Sequence, residues 1–214
     1  MLRVGLTGGI ATGKSTVGAM LVELGCHLIE SDQITHQLFE PGQAVHAAVV
    51  KQFGNRVLAL DGTIDRRILG DIVFKDPQAR AKLNSLVHPA IIQRQQEWLN
   101  DMEAQDPHGI AIVDAALMIE VGTYKNYDKV IVVTCSPEIQ RERLRARSAL
   151  SEEKIDSRIR SQMPNEEKIK YADFVIDNSG SVESTRAQVE TVYQQLRTAV
   201  TIDYTLSPKK KTDL

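Results

Sequence analysis

The run Gly8-Gly9-Ile10-Ala11-Thr12-Gly13-Lys14-Ser15 sets two glycines, an amine and a hydroxyl at the Gly-x-x-x-x-Gly-Lys-Ser spacing of a phosphate-binding loop. Lys14 is long enough to reach the β- and γ-phosphates of a nucleotide, and Ser15 has a hydroxyl to offer a magnesium ion. Gly8 and Gly13 admit the left-handed or crowded backbone that such a loop needs. Other groups supply the rest of a phosphoryl chemistry. Asp32 is a carboxylate at the end of an apolar run, and Asp114 is another, of the kind that serves the magnesium side of such loops. The stretch Gln140-Arg141-Glu142-Arg143-Leu144-Arg145-Ala146-Arg147 brings positive charge.

Each group falls where a secondary-structure element would deliver it. Leu2, Val4 and Leu6 alternate like a strand, and Val17, Met20, Leu21 and Leu24 recur at helical spacing. The loop therefore joins a strand to a helix that ends near Gly25, and the join aims N–H groups and the positive end of the helix dipole at one point. Cys26–Glu30 reads as a second strand that delivers Ser31 and Asp32 at its carboxyl end, where open α/β sheets bind ligands. Asp32 also reads as an N-cap for the stretch beginning Gln33-Ile34, and the two roles are compatible. Ile110–Val113 is a third strand ending at Asp114, Val130–Thr134 a fourth, and Asp173–Ile176 a fifth, followed by the turn Asp177-Asn178-Ser179-Gly180. A last helix runs through Val182, Val189, Val192, Tyr193 and Leu196. Short apolar strands separated by helices predict an α/β fold with a parallel sheet covered on both faces.

Two stretches interrupt that alternation. From about 33 to 106 there are helical segments only, punctuated by Pro41-Gly42, Asp61-Gly62, Asp76-Pro77 and His88-Pro89. Ala44, Ala47, Ala48 and Val49 give one stripe and Ile68, Leu69, Ile72 and Val73 another. Pro89 is expected to open a long helix with Ile91, Ile92, Trp98 and Leu99 on its apolar side. Such an insertion either holds a phosphoryl acceptor or covers the core. Between strands four and five lies the arginine-bearing run, then a second helical run with Arg158 and Gln162 one turn apart, then Met163-Pro164. It reads either as a solvated helix pair or as a flap closing on a γ-phosphate, with Arg143 or Arg147 supplying charge where the transferring group turns negative.

Composition narrows the function classes. A chain of 214 residues with 42% hydrophobic and 25% charged residues is one globular core with insertions, and a net charge of −2 argues against a general nucleic-acid binder. Cys26 and Cys135 sit in or beside apolar runs, as packed thiols do, and the five histidines lack zinc-like spacing. Residues 1–10 lack a signal-peptide pattern and no apolar run reaches the roughly 18 residues of a membrane span, so a cytoplasmic location is expected. From about Thr201 the chain turns polar and ends in Lys209-Lys210-Lys211, read as a flexible tail. A GTPase switch would carry an Asn-Lys-x-Asp motif, which Asn126-Tyr127-Asp128 does not match. A small-molecule kinase is the reading that uses both the insertion and the flap. A nucleoside monophosphate kinase and a non-catalytic nucleotide-binding regulator are the alternatives.

The chain resembles the dephospho-CoA kinase family. The resemblance rests on Thr7-Gly8-Gly9-Ile10 leading into Gly13-Lys14-Ser15-Thr16, on Ser31-Asp32, Asp65-Arg66-Arg67-Ile68-Leu69 and His88-Pro89. Further on it rests on Ser151-Glu152-Glu153, Gln162-Met163-Pro164, Glu167-Lys168 and Ala172-Asp173-Phe174-Val175-Ile176-Asp177-Asn178-Ser179-Gly180. It covers nearly everything from residue 1 to about 198. One departure is that Asp114-Ala115-Ala116-Leu117-Met118 stands where that family usually has a proline-containing run.

The resemblance implies a P-loop kinase three-layer fold with a five-stranded parallel sheet. A nucleotide-binding core would comprise 1–32, 107–138 and 172–200, an acceptor-binding insertion 33–106, and a lid 139–171, with 201–214 as tail. It implies transfer of the γ-phosphoryl group of ATP to the ribose 3′-hydroxyl of dephospho-CoA, with Mg²⁺, by a monomer or weak homo-oligomer that needs no nucleic acid or membrane. On this sequence the N–H groups of Gly9, Ile10, Ala11, Thr12, Gly13, Lys14, Ser15 and Thr16 would hold the phosphates, with Lys14. Ser15 and Asp114 would serve the metal, and Asp32 would orient the 3′-hydroxyl. Thr7, Asp32, Arg66 and His88 would contact the acceptor, Arg66 as a clamp for an anionic group and His88 either as a contact or as a cap ahead of Pro89. Arg143, Arg147 and Arg158 would close over the phosphates, and Asn178 would lie near the adenine.

Overall fold

Alternation of buried residues along the strands builds the centre of the molecule. In a computed structural model, which describes residues 1–147 and 151–206, β1 (Leu2–Gly8), β2 (His27–Glu30), β3 (Ile110–Asp114), β4 (Lys129–Thr134) and β5 (Phe174–Asp177) form one sheet in the order β2-β3-β1-β4-β5. The paired registers are parallel. Leu2, Val4 and Leu6 join Ile110, Ile112, Ile131, Val133 and Ile176 on one face. There they meet Val17, Met20 and Leu21 of α1 (Lys14–Glu23) and Val189, Val192 and Leu196 of α10 (Val182–Leu206). The opposite face carries Val130 and Val132 against Ile119 of the short α6 (Met118–Val121), with Tyr124, Met163 and Ala172 packed around them. Both faces are therefore dry, as a parallel sheet requires.

The register sets the site. Leu6 lies opposite Asp114 and Gly8 opposite Val133, so β1 hands the chain into its loop between the carboxyl ends of β3 and β4. Among the described residues, three helices lie between β4 and β5: α7 (Pro137–Arg147), α8 (Glu152–Arg160) and α9 (Asn165–Ile169). They belong to the same compact unit as the sheet, which comprises Met1–Ile29 and Asp101–Leu214.

The second unit, Glu30–Asn100, is helical: α2 (Ser31–Leu38), α3 (Ala44–Phe53), α4 (Arg66–Lys75) and most of α5 (Pro77–Gln105). Asp65 caps α4 through both Arg67 and Ile68 N–H groups. The buried stripe of α3 is Val45, Val49 and Phe53, with Ala44 and Ala47 exposed, a one-residue rotation from the sequence expectation. Bulkier side chains gain more from burial than alanine does, and they set the face.

Three expectations about boundaries are corrected. Pro89 does not open a helix: it lies inside α5, which starts at Pro77 with Asp76 accepting from Gln78 N–H at 2.8 Å. His88 is consequently a mid-helix residue and not a cap. Asp32 likewise is no N-cap, since it occupies the first turn of α2 behind Glu30. Finally, α10 continues to Leu206, so helical backbone extends into the stretch read as a tail; residues 207–214, with the lysines, lie outside the described residues. Cys26 and Cys135 are free and buried, and burial pushes the Cys26 thiol up to about 12.

Candidate active site

The loop is held in shape before any question of ligand arises. Gly13 takes φ 91° as the residue ahead of α1, a left-handed conformation that glycine adopts freely. Gly8 is required for a different reason: a Cβ there would come within 2.3 Å of the Val133 carbonyl oxygen. Ala11 carries a second positive φ, 59°, and its methyl is buried with Leu144 and Ile155 from α7 and α8, beside Ile10 and Ile159. Thr12 is fully buried and donates its hydroxyl to Gly9 O at 2.9 Å. No side chain caps α1, and Thr16 N–H turns back to Gly13 O at 3.0 Å, which leaves the Lys14 and Ser15 N–H groups to an anionic ligand.

Side chains from distant positions grip the loop on both halves. Gln162 Oε1 accepts from Ile10 N–H at 2.7 Å, Asn165 Oδ1 accepts from Gly9 N–H at 3.2 Å, and Gln140 Nε2 donates to Ile10 O at 2.8 Å. On the second half, Arg143 donates to Thr12 O at 3.2 Å and to Asn178 O at 2.9 Å. The Asn178 side chain donates to Thr12 O at 2.8 Å and accepts from the Thr185 hydroxyl at 2.9 Å. Asn178 is buried and engaged at both ends, so its amide shapes the loop instead of lying open in a turn toward an adenine.

Lys14 and Asp114 are brought together. The ammonium pairs with Asp114 Oδ1, with the lysine side chain 17% and the aspartate 5% exposed. Ser15 is exposed in the first turn of α1. A hydroxyl and one carboxylate are hard oxygen donors, which suits a magnesium ion that keeps most of its water and takes phosphate oxygens. Among the described residues no group of three His, Cys, Asp or Glu side chains gathers as an all-protein metal cage, and magnesium at phosphoryl-transfer sites does not need one.

Thr7, expected to touch an acceptor, is fully buried and donates its hydroxyl to Ala116 O at 3.2 Å. The other acceptor residues lie in the helical unit. Asp32 is exposed on α2. Arg66, exposed at the start of α4, contacts His36 Nε2. His36 was not singled out from the sequence, although its spacing of four from Asp32 puts both on one face of α2. His88 is half-buried in α5, and burial pushes its imidazole below the usual value.

The arginines of the expected lid divide by what they touch. Arg141 pairs with Asp156 at 2.6 Å and Arg145 with Glu152 at 2.6 Å, both within that region. Arg143 holds backbone carbonyls, as described, and Arg158 is exposed on α8. The Arg147 side chain lies outside the described residues.

The family model of dephospho-CoA kinase matches residues 2–184. The chain belongs to the dephospho-CoA kinase family. A dephospho-CoA kinase from Aquifex aeolicus is 45% identical over 196 residues, 92% of this chain and 98% of that one. A solved protein from Thermus thermophilus superposes with TM-score 0.77 at 31% identity, covering 91% of this chain and 97% of that one. The dephospho-CoA kinase from Campylobacter jejuni gives TM-score 0.69 at 31% identity, covering 92% and 98%. Membership makes this chain an ATP-dependent small-molecule kinase of coenzyme A biosynthesis with a P-loop kinase fold. No described helix is long and apolar enough to cross a membrane.

Lys168, which the sequence offers only as half of a Glu-Lys pair, is fully buried beside the turn that follows Asp114. Nothing in the local pattern marks it, because its partners are 48 and 52 residues away.

Proposed function

We propose that this dephospho-CoA kinase divides its labour between a donor site on the phosphate loop and an acceptor site on the helical unit. The N–H groups of Ala11, Gly13, Lys14 and Ser15, together with the Lys14 ammonium, hold the ATP phosphates, those of Gly9, Ile10, Thr12 and Thr16 being engaged within the protein. Lys14 turns from Asp114 to the β- and γ-phosphoryl oxygens. That Lys14 and Asp114 already meet at the carboxyl ends of adjacent strands is the observation that carries the reading. Ser15 and Asp114 would hold Mg²⁺, which would supply positive charge at the phosphates.

Asp32 accepts a hydrogen bond from the ribose 3′-hydroxyl and keeps it in line, and it takes the proton late because the transition state is loose. Arg66, steadied by His36, clamps an anionic group of dephospho-CoA, with His88 beside the same ligand. Residues 139–171 act as the lid, and Arg147 and Arg158 supply charge at the transferring group. Arg143 and Asn178 support the loop from behind, and Thr7 supports the turn after Asp114, so these three act through backbone and not by touching the acceptor or the adenine. The enzyme works in the cytoplasm as a monomer or weak homo-oligomer without nucleic acid.

A coupled ADP-release assay offered dephospho-CoA, AMP, CMP or no acceptor tests this. Turnover with dephospho-CoA alone is expected. Turnover with a nucleoside monophosphate in its place would contradict the reading.

A further inference from the structure

Lys168 is the one fully buried lysine ammonium among the described residues, and it is held by a carbonyl and a carboxylate. Its Nζ donates to Ala116 O at 2.7 Å and to Glu120 Oε2 at 3.2 Å, with Glu120 Oε1 at 2.9 Å completing the ion pair. The same Ala116 carbonyl accepts the Thr7 hydroxyl at 3.2 Å. The same Glu120 accepts from Met163 N–H at 3.0 Å, and Met163 follows Gln162, whose carboxamide holds Ile10 of the phosphate loop. One chain of hydrogen bonds thus runs from the turn behind Asp114, through Lys168 and Glu120, to the base of the α8–α9 region and back to the loop.

This arrangement is expensive to build. Burying an ammonium costs more than a well-packed apolar side chain of equal volume would, so stability alone does not favour lysine at this position. Burial pushes the ammonium's pKa down, Glu120 opposes that shift, and Lys14 reinforces it, which also places the two lysines within electrostatic reach of each other. The turn that Lys168 holds is Ala115-Ala116, the stretch that lacks a proline to stiffen it. Its backbone is fixed instead from three sides, by Ala115 N–H to Leu6 O at 3.0 Å, by Thr7 and by Lys168.

We infer that Lys168 is a positioning residue for phosphoryl transfer: through Ala116 and Glu120 it locks the Asp114 turn to the base of the lid and so fixes the metal-side carboxylate against the loop. The inference rests on the donor-site reading above. It is tested with Lys168→Met, which removes the ammonium at similar length, and with the double variant Lys168→Met/Glu120→Gln, which also removes the charge left behind while keeping an acceptor for Met163 N–H.

Lys168→Met is expected to lose at least tenfold in kcat, with KM for ATP and for dephospho-CoA within about threefold, and to melt at a lower temperature. The double variant is expected to regain the melting temperature but not the rate. Hydrogen exchange gives a readout that needs no turnover, and amides of 115–120 and of 162–165 should speed up together in the double variant. A double variant that regains wild-type kcat along with its melting temperature, or unchanged exchange in both segments, overturns the inference. Loss of the dephospho-CoA reading itself would instead show as wild-type enzyme failing with that acceptor while the exchange result stands.

Discussion

The donor and acceptor regions are built in opposite ways. The phosphate loop is held by other protein groups: Lys14 by Asp114, Ile10 by Gln140 and Gln162, and Thr12 by Arg143 and Asn178. In the helical unit, Asp32 stands exposed on the first turn of α2, and Arg66 is exposed beside the His36 imidazole. Phosphate binding by backbone N–H groups demands a fixed loop, because many weak donors must converge at once. Orienting one hydroxyl demands only a carboxylate whose acceptor oxygens are not already committed.

Substitutions that strike one region and spare the other test that difference, and the largest effect belongs to the exposed carboxylate. Asp32→Asn should lower kcat by about 10²–10⁴ with KM for ATP near wild type, measured by steady-state kinetics. Lys14→Met should cost about 10²–10³ in kcat and raise KM for ATP, while KM for dephospho-CoA stays put. Arg143→Gln should behave as damage to a scaffold, removing about 2 kcal/mol of stability in urea titration and weakening ATP more than acceptor. Thr185→Val, which frees the Asn178 oxygen, should cost about 1 kcal/mol in the same titration.

The smallest effect is a pH dependence in the helical unit. Burial holds the His88 imidazole below its ordinary 6.5, so protonation favours the unfolded chain. The corresponding stability is complete above about pH 6.5 and is lost as pH falls below it. His88→Gln should flatten that decline in thermal melts taken between pH 7 and pH 5.

The loop, the strands and the carboxylates at their ends were legible because each is a local pattern. Gly8 to Ser15 is contiguous, and Asp114 ends an apolar run. Proline at 89 misled, since a helix that already has a better start at Asp76-Pro77 can carry a later proline by giving up one backbone hydrogen bond. The family resemblance implies ligand contacts for Asn178 and Thr7, yet their side chains are consumed by Thr12, Thr185 and Ala116. Lys168 and His36 were passed over because the contacts that define them are long-range or cross between helices. Sequence periodicity reports which face is dry; it does not report which polar group a buried polar side chain will find.

The division between donor and acceptor is tested most directly by calorimetric binding of a non-hydrolysable ATP analogue and of dephospho-CoA, each alone, to wild type, Lys14→Met and Asp32→Asn. The expected result is that Lys14→Met weakens the analogue at least tenfold and leaves dephospho-CoA within about twofold, while Asp32→Asn leaves the analogue within about twofold. Asp32→Asn weakening the ATP analogue as much as Lys14→Met does would contradict the account.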